Sequence, residues 1–386
     1  MHSVNYVGQN NVTLLESGKA LFPAMIAAID AAQQDIHFET YIFADDTVAN
    51  SVRDALIRAA ARGVKVRVMT DWFGTGNKQA KALGTVFREG GVHYRVFNPW
   101  FKRGVTRTHR KIVVVDRQVA FVGGINTNDD MLSDYAPHLP LPAPRWDFAV
   151  EVRGRLVVQI YRESQAQWAR VGHLGIVKRV HLFREMRQRP RPSDLEPMLA
   201  GLVVRDNLRN RRTIQRAYLG AIGRARTSVM MANPYFAPGR KFREALSHAA
   251  QRGVEVKLLI GVGEFWLQDM VARSFYPKLL DCGVQVIEYR KTQLHAKVAV
   301  IDDDWSTVGS SNCDGLSLFL NQEANVVVKD ARFARSMRAH IERGIADGVL
   351  IQCDHFAHVG RFKRAGYEFA YFLYRLTMRI FTIGYA

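Results

Sequence analysis

The chain has 386 residues, 48% of them hydrophobic and 23% charged, with a formal net charge of +18 and a pI near 10.0. This composition excludes a disordered chain, and the length suits two ordinary domains, each able to bury its own core. The excess of Lys and Arg favours an anionic partner (nucleic acid, an acidic membrane surface or a phosphorylated substrate) without choosing among them.

The first eighteen residues lack the apolar core of a signal peptide. No run of about 18 uncharged apolar residues occurs, so no transmembrane helix is expected and membrane contact has to be peripheral, on the cytoplasmic side. Cys282, Cys313 and Cys353 are odd in number and lack metal-ligand spacing, which suits free thiols in a reducing compartment.

In chain order, Phe22, Met25, Ile26 and Ile29 recur at helical spacing and predict an amphipathic helix. Strands are expected over 35–43, 64–69 and 92–97, with a helix over 47–62 stopped by Gly63. The second half predicts helices over 214–222 and 241–251 and strands over 228–232, 254–260 and 284–289. Such β-α-β alternation implies an α/β fold with a mixed, mostly parallel sheet flanked by helices.

The two halves repeat each other. Ala28-Ile29 recurs as Ala221-Ile222, Arg62-Gly63-Val64 as Arg252-Gly253-Val254, and Gly91-Val92 as Gly283-Val284. Four blocks in one order at a nearly constant offset make two tandem domains, pseudo-twofold, with one site at their interface. The first is placed at 1–180 and the second at 205–350. A basic, proline-bearing linker is placed at 181–204, within a loop that starts near Gly172 and carries Lys178, Arg184, Arg187, Arg189 and Arg191. Residues 351–386 form a basic aromatic tail in which Phe362, Phe369, Leu373, Leu376 and Ile380 fall near one helical face, as in a helix lying on an anionic membrane.

The fourth repeated block carries the chemistry. Half one has His109-x-Lys111, Asp116, Gly123-Gly124 and Asn126; half two has His295-x-Lys297, Asp302, Gly309-Ser310 and Asn312. Strand side chains alternate, so each His shares a face with its Lys, whereas each Asp has the other parity and is expected to brace a turn. Two imidazoles, two lysines and two asparagines make a phosphodiester site. One His can attack phosphorus while the other moves the proton, and Lys111, Lys297, Asn126, Asn312 and the Ser310 hydroxyl can bind phosphate oxygens. Lysine supplies the positive charge, so neither a metal nor a cofactor is expected.

These paired motifs resemble those of the phospholipase D superfamily over about residues 10 to 350, and within it the chain is most similar to the short-type bacterial cardiolipin synthases. Secondary support comes from Glu39-Thr-Tyr41-Ile-Phe43, Arg145-Trp-Asp147, Asn233-Pro-Tyr235-Phe236 and Asn321-Gln-Glu323. The resemblance implies that His109, Lys111, Asp116, His295, Lys297 and Asp302 form the catalytic set, with His109 the nucleophile and His295 the general acid and base. It implies that Asp147 and Glu323 each orient a histidine, Asp147 being set back by a proline-bearing loop over 131–144. It also implies a phosphatidyltransferase making cardiolipin from phosphatidylglycerol, with a peripheral membrane surface and no nucleic acid as partner. Hydrolysis by the same pocket is the alternative, and two intact motifs argue against a non-catalytic scaffold.

Overall fold

The computed structural model describes residues 4–134, 136, 139–172, 197–206, 210–352, 354 and 359–382. Half one runs β1 (Val7–Glu16), α1 (Ser17–Asp30), β2 (Asp35–Thr40), α2 (Thr47–Ala61), β3 (Lys65–Asp71), α3 (Trp72–Thr75), α4 (Asn77–Glu89), β4 (His93–Phe97), β5 (Lys102–Val105), β6 (Ile112–Val115), β7 (Val119–Gly123), β8 (Phe148–Gly154) and α5 (Leu156–Val171). Half two runs β9 (Met198–Arg205), α6 (Thr213–Arg224), β10 (Ser228–Asn233), β11 (Phe236–Ala237), α7 (Arg240–Gln251), β12 (Glu255–Gly261), α8 (Trp266–Arg273), α9 (Tyr276–Asp281) and β13 (Gln285–Tyr289). It continues with β14 (Val298–Ile301), β15 (Trp305–Gly309), β16 (Cys313–Asp314), α10 (Gly315–Phe319), β17 (Glu323–Lys329), α11 (Ala331–Ala346), β18 (Val349–Ile351) and α12 (Arg361–Thr382).

The internal repeat is structural down to the turns that end its helices. Helix α2 starts where the Asp46 carboxylate accepts the Ala49 N–H, and the chain turns out of it at Gly63 with φ +88°. Gly253 has the same φ after α7, a left-handed turn that favours glycine. The preceding arginines match too: Arg62 donates to the Ile29 carbonyl and Arg252 to the Ile222 carbonyl, each tying the turn to the end of the neighbouring helix.

The sheet is mixed. In each half of the large sheet, parallel pairing is confined to one trio, β2-β3-β4 and β10-β12-β13, which are the βαβ units the hydrophobic pattern predicts, and β11 and β16 form a separate parallel pair. Antiparallel hairpins built on the motif strands, β6-β7-β8 and β14-β15-β17, extend both trios. Parallel pairing is therefore less extensive than expected, because consecutive motif strands are joined by tight turns too short for a crossover. Strands β1 and β9 pair with each other and weld the halves into one ribbon of 15 strands. The linker expected to reach residue 204 accordingly ends before Met198; its basic residues lie outside the described residues.

The ribbon folds back so that β15 touches β7 and β8. Alternation decides what lies where: Ile112 and Val114 of β6 enter a shared central core with Val298 and Val300 of β14, while Val113 and Val115 face the outer core under α1 and α2. Helices α5 and α11 complete the central core with Ile160, Tyr161, Met337 and Ile341. Burying one core between the halves brings the starts of β6 and β14 together. Cys282 and Cys313 are free thiols, and Cys353 lies outside the described residues. Among the described residues, no helix is long and apolar enough to cross a membrane.

Candidate active site

Each motif histidine sits just before its strand and is anchored to the other half. The His109 N–H donates to the Gln322 carbonyl and the Gln322 N–H to Arg107; the His295 N–H donates to Trp146 and the Trp146 N–H to Gln293. These reciprocal bonds bring each histidine beside the acid of the opposite half. His109 Nδ1 lies 3.1 Å from Glu323 Oε2, and His295 Nδ1 lies 2.6 Å from Asp147 Oδ2. The orienting pairs are thus crossed, and each leaves Nε2 as the nitrogen free for chemistry.

Lys111 Nζ donates to the His109 carbonyl at 2.9 Å, and Lys297 Nζ to the His295 carbonyl. Both lysines are buried. Burial and the charge of Lys297 push the Lys111 ammonium down to about 7, and burial lowers Lys297 against the pull of Asp147. Burial, with Lys111, also lowers His109; burial, with Lys297, holds His295 well below the usual imidazole range. Both imidazoles are therefore neutral at neutral pH in the free chain. Asn126 and Asn312 are buried as well, and each has an Oδ1 without a hydrogen-bond partner.

The motif aspartates carry two expectations, a turn brace from strand parity and a place in the catalytic set from the resemblance, and their position suits the first. Asp116 and Asp302 occupy the far ends of β6 and β14, about 20 Å from the histidines at roughly 3.3 Å per residue. Asp116 accepts the N–H groups of Gln33, Gln34 and Asp35, and Asp302 those of Arg226, Thr227 and Ser228. Burial opposes the Asp302 charge, yet these N–H groups hold its carboxyl below the usual range. Both aspartates bind the helix-to-strand junction instead of touching the reacting groups.

The Ser310 hydroxyl donates to Glu323 Oε2 at 2.5 Å and accepts the Ala324 N–H, so it positions the carboxylate and is not directed at phosphate. Gly124, its counterpart, serves the same end by absence: a Cβ there would collide with the Asp147 carboxylate. The shorter acid needs glycine beneath it and the longer one takes a serine, which accounts for the one position at which the motifs differ.

The surroundings of the two histidines are unlike. The His109 side is aromatic and cationic: Tyr41 packs edge-on at 4.8 Å, Arg107 donates to the Tyr41 hydroxyl, and Arg107 stacks on Phe73 at 3.7 Å. The His295 side holds carboxylates the sequence did not reveal. Asp134, on the loop between β7 and β8, has a fully buried side chain with Oδ2 3.7 Å from His295 Nε2. It accepts from Asn126 at 3.2 Å and Asn128 at 2.6 Å and pairs with Arg145 at 3.2 Å. Burial opposes its charge, but Arg145 and His295 hold it below the usual carboxylate range. Glu264, beyond β12, accepts from Tyr235 and Gln293; burial and the Asp134 charge raise it to about 7. Asp134 lies in a proline-bearing loop and Glu264 in an unrepeated turn, so no periodicity could single either out. Among the described residues, no group of three or more His, Cys, Asp or Glu side chains is arranged to hold a metal ion.

Two motif-bearing halves sharing crossed His–carboxylate pairs define a phospholipase D-like protein. The family described as "Cardiolipin synthase, PLD-like domain" matches residues 25–135 and 218–345, and the chain belongs to that family. It is 39% identical over 346 residues to cardiolipin synthase B of Escherichia coli K12, covering 87% of this chain and 81% of that one. It is 29% identical over 368 residues to a probable cardiolipin synthase of Bacillus subtilis, covering 94% and 70%. Among solved structures, phosphatidylserine synthase of Haemophilus influenzae superposes with a TM-score of 0.68 over 98% of this chain and 96% of that one, at 11% identity, a likeness of fold.

Proposed function

We propose that the chain is a phosphatidyltransferase that makes cardiolipin from two molecules of phosphatidylglycerol. The observation that carries this is the pair of buried histidines, each fixed through Nδ1 by a carboxylate of the other half, in a chain of the cardiolipin synthase family. His109 Nε2 attacks phosphorus; a P–N bond forms as the bond to the glycerol oxygen breaks, and His295 gives that oxygen its proton. The terminal hydroxyl of a second phosphatidylglycerol then loses its proton to His295 and attacks the phospho-histidine, restoring His109 and releasing cardiolipin. Lys111, Lys297 and Asn312 stabilise the non-bridging oxygens as charge grows on them, while the Asn126 amide is turned onto Asp134. His295 is neutral in the free chain, so its proton arrives as the anionic phosphodiester binds and favours the imidazolium. The 2.6 Å contact with Asp147 supports that charge, which suits His295 to acid and base work.

The test is product analysis with labelled phosphatidylglycerol vesicles. Cardiolipin plus glycerol is expected; phosphatidic acid would make the chain a hydrolase instead.

The lysine pair yields a pH prediction. With Lys111 pushed down to about 7, kcat/KM should fall as pH rises through about 7, where this cation is lost from the free chain. Lys111→Arg should move that basic limb above pH 9 while lowering the plateau. A limb unmoved by the substitution would assign it to another group.

Peripheral membrane docking completes the proposal. Helix α12 is held to the body by the Tyr374 hydroxyl, which accepts the Gly315 N–H, and by Tyr371 against Phe275. Its other side leaves Phe362, Phe369, Phe372, Leu373 and Leu376 exposed, with Lys363, Arg364, Arg375 and Arg379 also on the helix. Phe73, Trp100 and Phe101, on the aromatic side of His109, are exposed as well. This arrangement suits an anionic bilayer. Removing residues after Gly360 should release the protein from phosphatidylglycerol vesicles in flotation; undiminished binding would place the docking surface elsewhere.

A further inference from the structure

We infer that the pocket beside His295, built from Asp134, Glu264 and Asn126, is a polyol subsite that recognises the glycerol hydroxyls of the leaving and incoming groups. The inference rests on the phosphodiester chemistry proposed above and names what that site selects.

The pocket contains acceptors in excess. Asp134 Oδ1 is engaged by Asn128 and Arg145, but Oδ2, the oxygen nearest His295 Nε2, receives a single donor, Asn126 at 3.2 Å. Each Glu264 oxygen likewise receives one donor, Tyr235 or Gln293. A carboxylate oxygen can accept two. Independently, the Asn126 side chain, 1% exposed and turned onto Asp134, has an Oδ1 with no partner. A buried acceptor without a donor is costly unless a ligand fills the gap.

The ligand that fits these acceptor-rich walls is one with hydroxyl donors and without negative charge of its own at that end. A phosphate oxygen is repelled there. An ammonium gains little, because Lys111, Lys297 and Arg145 stand among the carboxylates. A neutral vicinal diol has two O–H donors to place among Asp134 Oδ2, Asn126 Oδ1 and Glu264, and it stands beside His295 Nε2. A chain Glu264–Gln293–Arg145–Asp134 ties these groups into one unit. The His109 side differs in charge: there Tyr41 meets Arg107, a cation, where Tyr235 meets Glu264, a carboxylate. The site is thereby divided, with the phosphatidyl group on the His109 side and the glycerol on the His295 side.

Calorimetric titration of the full chain with glycerol 1-phosphate and with ethyl phosphate isolates the hydroxyls, since the two esters carry the same charge. The chain should bind the glycerol ester about tenfold tighter, the worth of one or two hydrogen bonds to charged groups. Asp134→Asn and Glu264→Gln should each erase that ratio while leaving ethyl phosphate bound as tightly or more tightly, because a repelling charge is gone. A ratio near one in the unsubstituted chain, including binding of neither ester, overturns the subsite. So does equal weakening of both esters in the variants, or a ratio that neither substitution changes. Phosphatidic acid as the reaction product would overturn the transferase proposal alone and leave this ratio untouched.

Discussion

His109→Ala and His295→Ala should each lower cardiolipin formation by about 10⁴-fold or more, because the two imidazoles act as one unit and neither has a substitute. The two variants should fail differently. With a phosphatidyl ester of a good leaving group such as nitrophenol, which needs no protonation, His295→Ala should still release one equivalent of nitrophenol. The chain should then gain the mass of a phosphatidyl group on His109. His109→Ala should show neither burst nor adduct. An adduct on His295 in the His109→Ala chain would reverse the assignment of nucleophile and acid. Both side chains are buried and neutral in the free chain, so alanine leaves no unpaired imidazole charge; it removes one partner of Glu323 or Asp147, and folding should be checked by thermal unfolding.

Asp147→Asn should lower turnover by about 10²–10⁴-fold, since an amide in place of the carboxylate favours the wrong imidazole tautomer. The crossed geometry makes a sharper statement possible. Asp147 lies in half one but touches His295 of half two, at 2.6 Å, and Glu323 touches His109. In a double-substitution cycle, Asp147→Asn should have almost no further effect on the residual activity of His295→Ala, whereas additive losses are expected for residues that do not meet. If Asp147 instead proved coupled to His109 and independent of His295, the crossed pairing would be wrong. Buried Gly124 supports the same geometry: enlarging it pushes on the Asp147 carboxylate, so Gly124→Ala should mimic Asp147→Asn in part.

Much of this molecule was legible in the chain because it is written twice. Helix α2, strand β3 and their counterparts α7 and β12 follow from apolar spacing and from glycines that stop the helices, all of it local information. The motif histidines, lysines and asparagines stood out through repetition, and the structure brings the first two types together as the parity of a strand predicts. The family resemblance assigned the two orienting acids without saying which histidine each one meets.

What escaped was whatever depends on which distant segments meet in the fold. The motif aspartates did not escape: strand parity already pointed Asp116 and Asp302 to turns, and each binds a helix-to-strand junction of its own half. Ser310 has a hydroxyl suited to phosphate, but Glu323 lies closer. Asp134 and Glu264 belong to no repeat and become neighbours of His295 only when the loop after β7 and the turn after β12 close on it.

The sequence alone therefore determined the number of halves, their βαβ character and the residue types that handle the phosphodiester, since periodicity and repetition are properties of one strand of text. Tertiary structure alone decided that each histidine is held by the other half's acid and that the two sides of the pocket differ in charge. The physical reason is the shared central core: burying Ile112, Val114, Val298 and Val300 against one another fixes which loops face across the interface. Hydrogen bonds from His109 to Gln322 and from His295 to Trp146 then set the crossing.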